Sequence, residues 1–152
     1  MIQRIQSLYL ATACMAMVVF LRVSVWMKID LDRFCTIRPY SLITATGEYV
    51  LFPYGLPALL TCLLIVMAIY AIIRHDNRKL QLRLIAAMNL ALVILMVLTV
   101  ALVNKADTGY LLSGYGSYKI GALLPFIGLI TNLLARHHIK KDEKLVNQDR
   151  LR

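Results

Sequence analysis

The side chains able to do chemistry are few, and they lie at the edges of long apolar runs. The three histidines are His75, His137 and His138. His137 and His138 are neighbours that point about 100° apart on a helix, a poor arrangement for one ion, so metal ligation is not expected. Asp30 and Asp32 alternate, which on a strand sets both carboxylates on one side. With no third ligand or glycine-rich metal loop beside them, they read as a solvated strand face rather than a cation site. Asp142 and Glu143 are interleaved with lysines and read as salt-bridged surface. Cys14, Cys35 and Cys62 contain no CxxC pair, which argues against a thiol relay or a metal site of the usual spacing. No nucleophile stands beside a base, the minimum for a hydrolase or transferase. The residues therefore predict neither an enzyme nor a cofactor, and an enzyme acting on a lipid-borne substrate ranks last.

The elements that would position these groups are hydrophobic helices. Of 152 residues, 60% are hydrophobic and 16% charged, with a mean hydropathy of +0.70. Soluble chains average about 45–50% apolar and about 25% charged, so lipid must cover what water normally covers. The net charge is +9 and the isoelectric point near 9.8. The basic residues sit in short segments that flank apolar runs, so membrane topology accounts for them before nucleic acid does.

Four runs approach the roughly 20 residues a bilayer core requires of a helix. They cover residues 5–22, 55–73, 84–103 and 119–135, with a tail at 136–152. Ala11, Thr12, Ala13 and Cys14 imitate a lipoprotein cleavage box, but the apolar stretch ahead of them is too short for a signal, and an uncleaved first span is expected. The predicted class is an all-α four-transmembrane-helix bundle forming one domain over residues 1–152. Residues 41–52 are β-prone on either side of Thr46 and Gly47, which predicts a small hairpin cap from the first outer loop.

Between the second and third spans lies RHDNRKLQLR, residues 74–83, carrying Arg74, Arg78, Lys79 and Arg83. A short loop this basic is held on the cytoplasmic side. With both termini inside, eleven lysines and arginines fall in cytoplasmic segments and six outside. The tail, with Lys140, Lys141, Asp142, Glu143, Arg150 and Arg152, can lie on an anionic leaflet, each basic residue contributing about 1 kcal/mol near the surface, or dock a partner. Asn89 and Asn132 are polar groups inside the third and fourth spans. Such asparagines usually bond a neighbouring helix, worth about 0.6–2 kcal/mol. A notch around Asn89, Pro125 and Asn132 is the alternative.

The opening MIQRIQSLYL, the central RKLQLR followed by an asparagine-bearing span, and the closing GALLPFIGLITNLLARHHIKKDEKLVNQDRLR resemble a family of small four-span inner-membrane proteins of Bacteroidota classed as a domain of unknown function. The likeness implies four spans in a bacterial inner membrane. It implies no activity and supplies no catalytic positions. The expected role is a non-enzymatic structural or accessory subunit whose basic face and tail engage anionic lipid, a protein partner or a second copy, and no nucleic acid. The alternative is a small-solute or lipid-binding carrier.

Overall fold

The computed structural model describes residues 2–30, 33–44, 46–74, 77–109 and 115–149. Among them the chain forms four α-helices, α1 (Ile2–Arg22), α2 (Leu56–Ile73), α3 (Arg78–Gly109) and α4 (Leu124–Asp149). It also forms five strands, β1 (Trp26–Asp30), β2 (Arg33–Arg38), β3 (Ser41–Ile43), β4 (Tyr49–Val50) and β5 (Gly116–Tyr118).

Local chemistry fixes the helix ends. Pro57 stands in the first turn of α2, where its missing N–H costs nothing. The Arg74 N–H closes that helix on the Tyr70 carbonyl. Asn77 then starts α3, its Oδ1 accepting the Leu80 N–H at 3.2 Å, the usual work of an asparagine cap. The helices pack as a ring, α1 on α2, α2 on α3, α3 on α4 and α4 back on α1. Leu10, Ala71, Ile85, Ala135 and Ile139 form one buried layer drawn from all four. They come from the early part of α1 and α3 and the late part of α2, so neighbouring helices run in alternating directions. A second layer, with Met17, Phe20, Leu64, Ala68, Met88 and Leu92, fills the middle. Three helical stretches, Leu56–Ile73, Lys79–Gly109 and Ile120–Lys141, are long and apolar enough to cross a membrane, while the apolar part of α1, Ser7–Arg22, is shorter.

The predicted fold class needs correction. The chain is not an all-α bundle with a small hairpin cap, because one end carries a five-stranded antiparallel sheet in the order β4-β3-β2-β1-β5. The β3–β4 hairpin, with Gly47 at positive φ, is its smallest part. β5 comes from the other connection, between α3 and α4, and pairs Trp26 with Tyr118 and Lys28 with Gly116. Hairpin spacing marks β3 and β4 locally, whereas a three-residue strand pairing across some ninety positions leaves no local signal. The helices also outrun the predicted spans: α3 continues past residue 103 to Gly109, and α4 absorbs most of the tail.

Alternation along the strands turns Trp26, Cys35, Ile37 and Leu42 toward Leu102, Val103 and Ala106 of α3, forming the third buried cluster. Ile29, Phe34 and Tyr49 on the opposite face are exposed. Lys28, 8% exposed, donates to Asp107 Oδ1 at 2.8 Å and ties β1 to the last turns of α3. Gly116 lies against the Trp26 indole, where a Cβ would come within 2.5 Å of the ring.

Asp107→Ala strands a buried ammonium and lowers stability by about 1–3 kcal/mol, toward the lower end because half of the Asp107 side chain is screened by water. Lys28→Met costs less, since it removes the buried charge and leaves only the half-exposed Asp107 carboxylate unpaired. Gly116→Ala overpacks the sheet edge and costs about 1–3 kcal/mol. Trp26 is the one tryptophan of the chain, so its fluorescence during thermal unfolding in detergent reads all three variants; equal midpoints for Asp107→Ala and wild type would contradict the ion-pair reading.

Candidate lipid or partner interface

On α2, α3 and α4 the exposed apolar residues form a stripe that runs into basic residues at one end. On α3, Lys79 and Arg83 fall on the same face as exposed Leu90, Ile94 and Val97, by the 100° step of the helix. From Arg83 to Asn104 along that face is about 31 Å at 1.5 Å per residue, matching a hydrocarbon core of about 30 Å. On α4, Phe126, Ile130 and Leu133 lead to exposed His137, Lys140 and Lys141. On α2, Leu63, Val66 and Tyr70 lead to exposed Arg74. The basic side chains therefore prolong lipid-facing stripes, the position from which long cationic side chains reach headgroups.

Both basic groups share the end opposite the sheet. Ile85 of α3 and Ile139 of α4 meet in one buried layer, so Arg83 and Lys140 border the same level of the bundle. That end is held together by Gln81 and Tyr9, which no local motif marks, and by the two neighbouring histidines. Gln81 is 2% exposed and donates Nε2 to the Ala71 carbonyl at 3.3 Å, tying α3 to α2. Tyr9 of α1 stacks on His138 of α4, ring centroids 5.4 Å apart, and His137 meets His138 edge-on at 5.9 Å. Asn77 could have been read as a cap; the Gln81 and Tyr9 contacts depend on which helices become neighbours.

Asp32, His75, Arg150 and Arg152 lie outside the described residues, as do the side chains of Asp30, Arg78, Asp142 and Glu143. Among the described residues no three histidine, cysteine or acidic side chains group as metal ligands. Burial pushes the Cys35 thiol up, with the Lys28 ammonium working the other way.

The intramembrane polar contacts differ from the expected helix glue. Asn132 is fully buried and neither Nδ2 nor Oδ1 has a hydrogen-bond partner; Asn89 Oδ1 is also buried without one. Helix periodicity puts Asn132 one turn from Gly128, which faces Met17 and Leu92, so the two asparagines lie at one depth on neighbouring helices. Pro125 lies two turns from Asn132 and lines a hollow that reaches neither asparagine.

A family described as a domain of unknown function (DUF4293) matches residues 2–151. The chain belongs to this family. The match spans nearly the whole chain, so the DUF4293 domain comprises the bundle, the sheet and the basic end together. No curated protein matches the chain.

Because its amide is buried unbonded, Asn132→Leu should leave the folded protein as stable or more stable, by up to about 1–3 kcal/mol. A fall of that size in the thermal midpoint would mean that Asn132 holds a structural hydrogen bond.

Proposed function

We propose that this DUF4293 protein is a non-enzymatic inner-membrane subunit. In this reading it crosses the bilayer four times, with both termini cytoplasmic, and its basic end engages anionic lipid or a protein partner. The single observation carrying the role is that Arg74, Lys79, Arg83, Lys140 and Lys141 are all exposed at one end and continue lipid-facing stripes. Charges so placed meet phosphates without leaving the apolar surface they grow from.

The fourth crossing is supported by α1 itself. Its 21 residues span about 31 Å as a helix; it packs between α2 and α4; and Leu8, Met15, Val18 and Val19 face outward. The orientation rests on the distribution of basic residues, eleven on the side of the termini and six on the sheet side, which the positive-inside bias sets toward the cytoplasm. Asn132 favours a second reading, a carrier of a small polar solute, since a buried unbonded amide is the kind of group such a solute would use.

Reversing charge at Arg83, Lys140 and Lys141 together should weaken binding of anionic phospholipid to the purified protein by about tenfold per 1.4 kcal/mol lost, with each residue contributing about 1 kcal/mol. The same triple variant should release any stoichiometric companion obtained in mild detergent. Unchanged lipid binding together with an unchanged pull-down would overturn the role, and labelling that placed Lys79 and Lys141 on opposite membrane faces would overturn the threading.

A further inference from the structure

Among the described residues six buried polar side-chain atoms have no hydrogen-bond partner, and four of them belong to Asn89, Asn132 and Arg136. They are the Oδ1 of Asn89, both amide atoms of Asn132 and the Nε of Arg136. The three residues gather on the seam between α3 and α4. Met96 of α3 and Ala122 of α4 line one hollow on that seam. Asn89 stands two turns from Met96 and Arg136 four turns from Ala122, each along the same line of its helix toward the basic end. Asn132 is fully buried at the depth of Asn89. Arg136 starts one turn, about 6 Å, nearer the basic end, and side chains on a helix tilt toward its N-terminus, which here leads the Arg136 stem back toward Asn132.

Arg136 lies within the apolar stretch Ile120–Lys141 and is half-buried. Its guanidinium keeps its charge in a protein, and a charge inside a membrane span is a mark of function with a partner to be named. Among the described residues no carboxylate meets it; the ion pair formed there, Lys28–Asp107, belongs to the sheet end. The unmet groups specify what would satisfy them. The Arg136 Nε and the Asn132 Nδ2 donate and call for anionic oxygen. The Oδ1 atoms of Asn132 and Asn89 accept and call for an O–H. A plain carboxylate answers only the first pair, and a neutral alcohol only the second. We propose that the α3–α4 seam binds a small hydroxy acid as its monoanion, the carboxylate held by Arg136 and Asn132 and the hydroxyl turned to the asparagine oxygens. Exposed Lys79, Arg83, Lys140 and Lys141 at the near end of the bundle raise the concentration of anions at its mouth. The proposal rests on the carrier reading above and names the class of its solute; it needs none of the lipid or partner contacts of the subunit reading.

The test uses the full chain in detergent with sodium lactate as the probe, ionic strength being held equal with sodium chloride, and reads affinity by isothermal titration. Lactate is expected to bind at least about tenfold more tightly than propionate, which lacks the hydroxyl, or lactamide, which lacks the charge, the change expected when a buried group of the site is left unpaired. Arg136→Gln should lower lactate affinity at least about tenfold and leave lactamide unaffected, while Asn132→Leu should abolish the preference for lactate over propionate. Trp26 fluorescence during thermal unfolding checks that both variants fold. Propionate or lactamide binding as tightly as lactate, or an unchanged lactate affinity in Arg136→Gln, would overturn the hydroxy-acid assignment while leaving the carrier reading intact. No binding of lactate, propionate or lactamide would overturn both.

Discussion

An open sheet cannot lie in hydrocarbon, because its unpaired edge groups find no water there. That constraint orders the molecule. α3 has 32 residues, about 48 Å of helix, against a hydrocarbon core of about 30 Å. Its last turns stand at the sheet end, and Leu102, Val103 and Ala106 there are the surface against which Trp26, Ile37 and Leu42 pack. Lys28 and Asp107 fix the register of that contact with one partly buried ion pair. A pair of this kind adds little net stability, yet losing one partner is costly, so it acts chiefly to define the arrangement.

The sheet then joins the two connections on that side. β5 adds to β1 at the edge, so the segment between α3 and α4 is paired to the segment between α1 and α2. Gly121 at the start of the last helical run leaves room for the Ser24 carbonyl, bringing the two connections into backbone contact as well. The opposite end has no such cover. It is held by the Tyr9–His138 stack and the Gln81 bond, and the cationic side chains around it stay exposed. The two ends therefore differ: a packed sheet covers one, and exposed cationic side chains of α2, α3 and α4 border the other.

Between them the interior is made of small side chains and leucine-sized ones, with Asn132 and Thr61 as fully buried polar side chains among the described residues. Small residues let helices approach closely where lipid offers no hydrophobic drive for association. Ala68, Ala71 and Ala135 are buried in this way. An amide left unbonded at that depth runs against the ordinary rule that buried polar groups are paired, an exception that Asn132 shares with the Oδ1 of Asn89 on the neighbouring helix.

How much was legible follows from the range of each signal. Apolar run length and the placement of lysine and arginine are local properties, so the helical stretches, the basic loop at 74–83 and the expectation of lipid around the chain came from the residues directly. The turn at Gly47 was equally local. The five-stranded sheet was not, because β5 is three residues long and acquires meaning only beside β1; nor was the Lys28–Asp107 pair, whose members are 79 positions apart. The same holds for the hollow lined by Pro125, which exists only where α1, α3 and α4 converge. Sequence alone determined that the chain is built of apolar helices with cationic flanks, since hydrophobic transfer acts residue by residue. Tertiary structure decided how those helices extend beyond the apolar runs and what they support there, since pairing and packing depend on neighbours that only folding brings together.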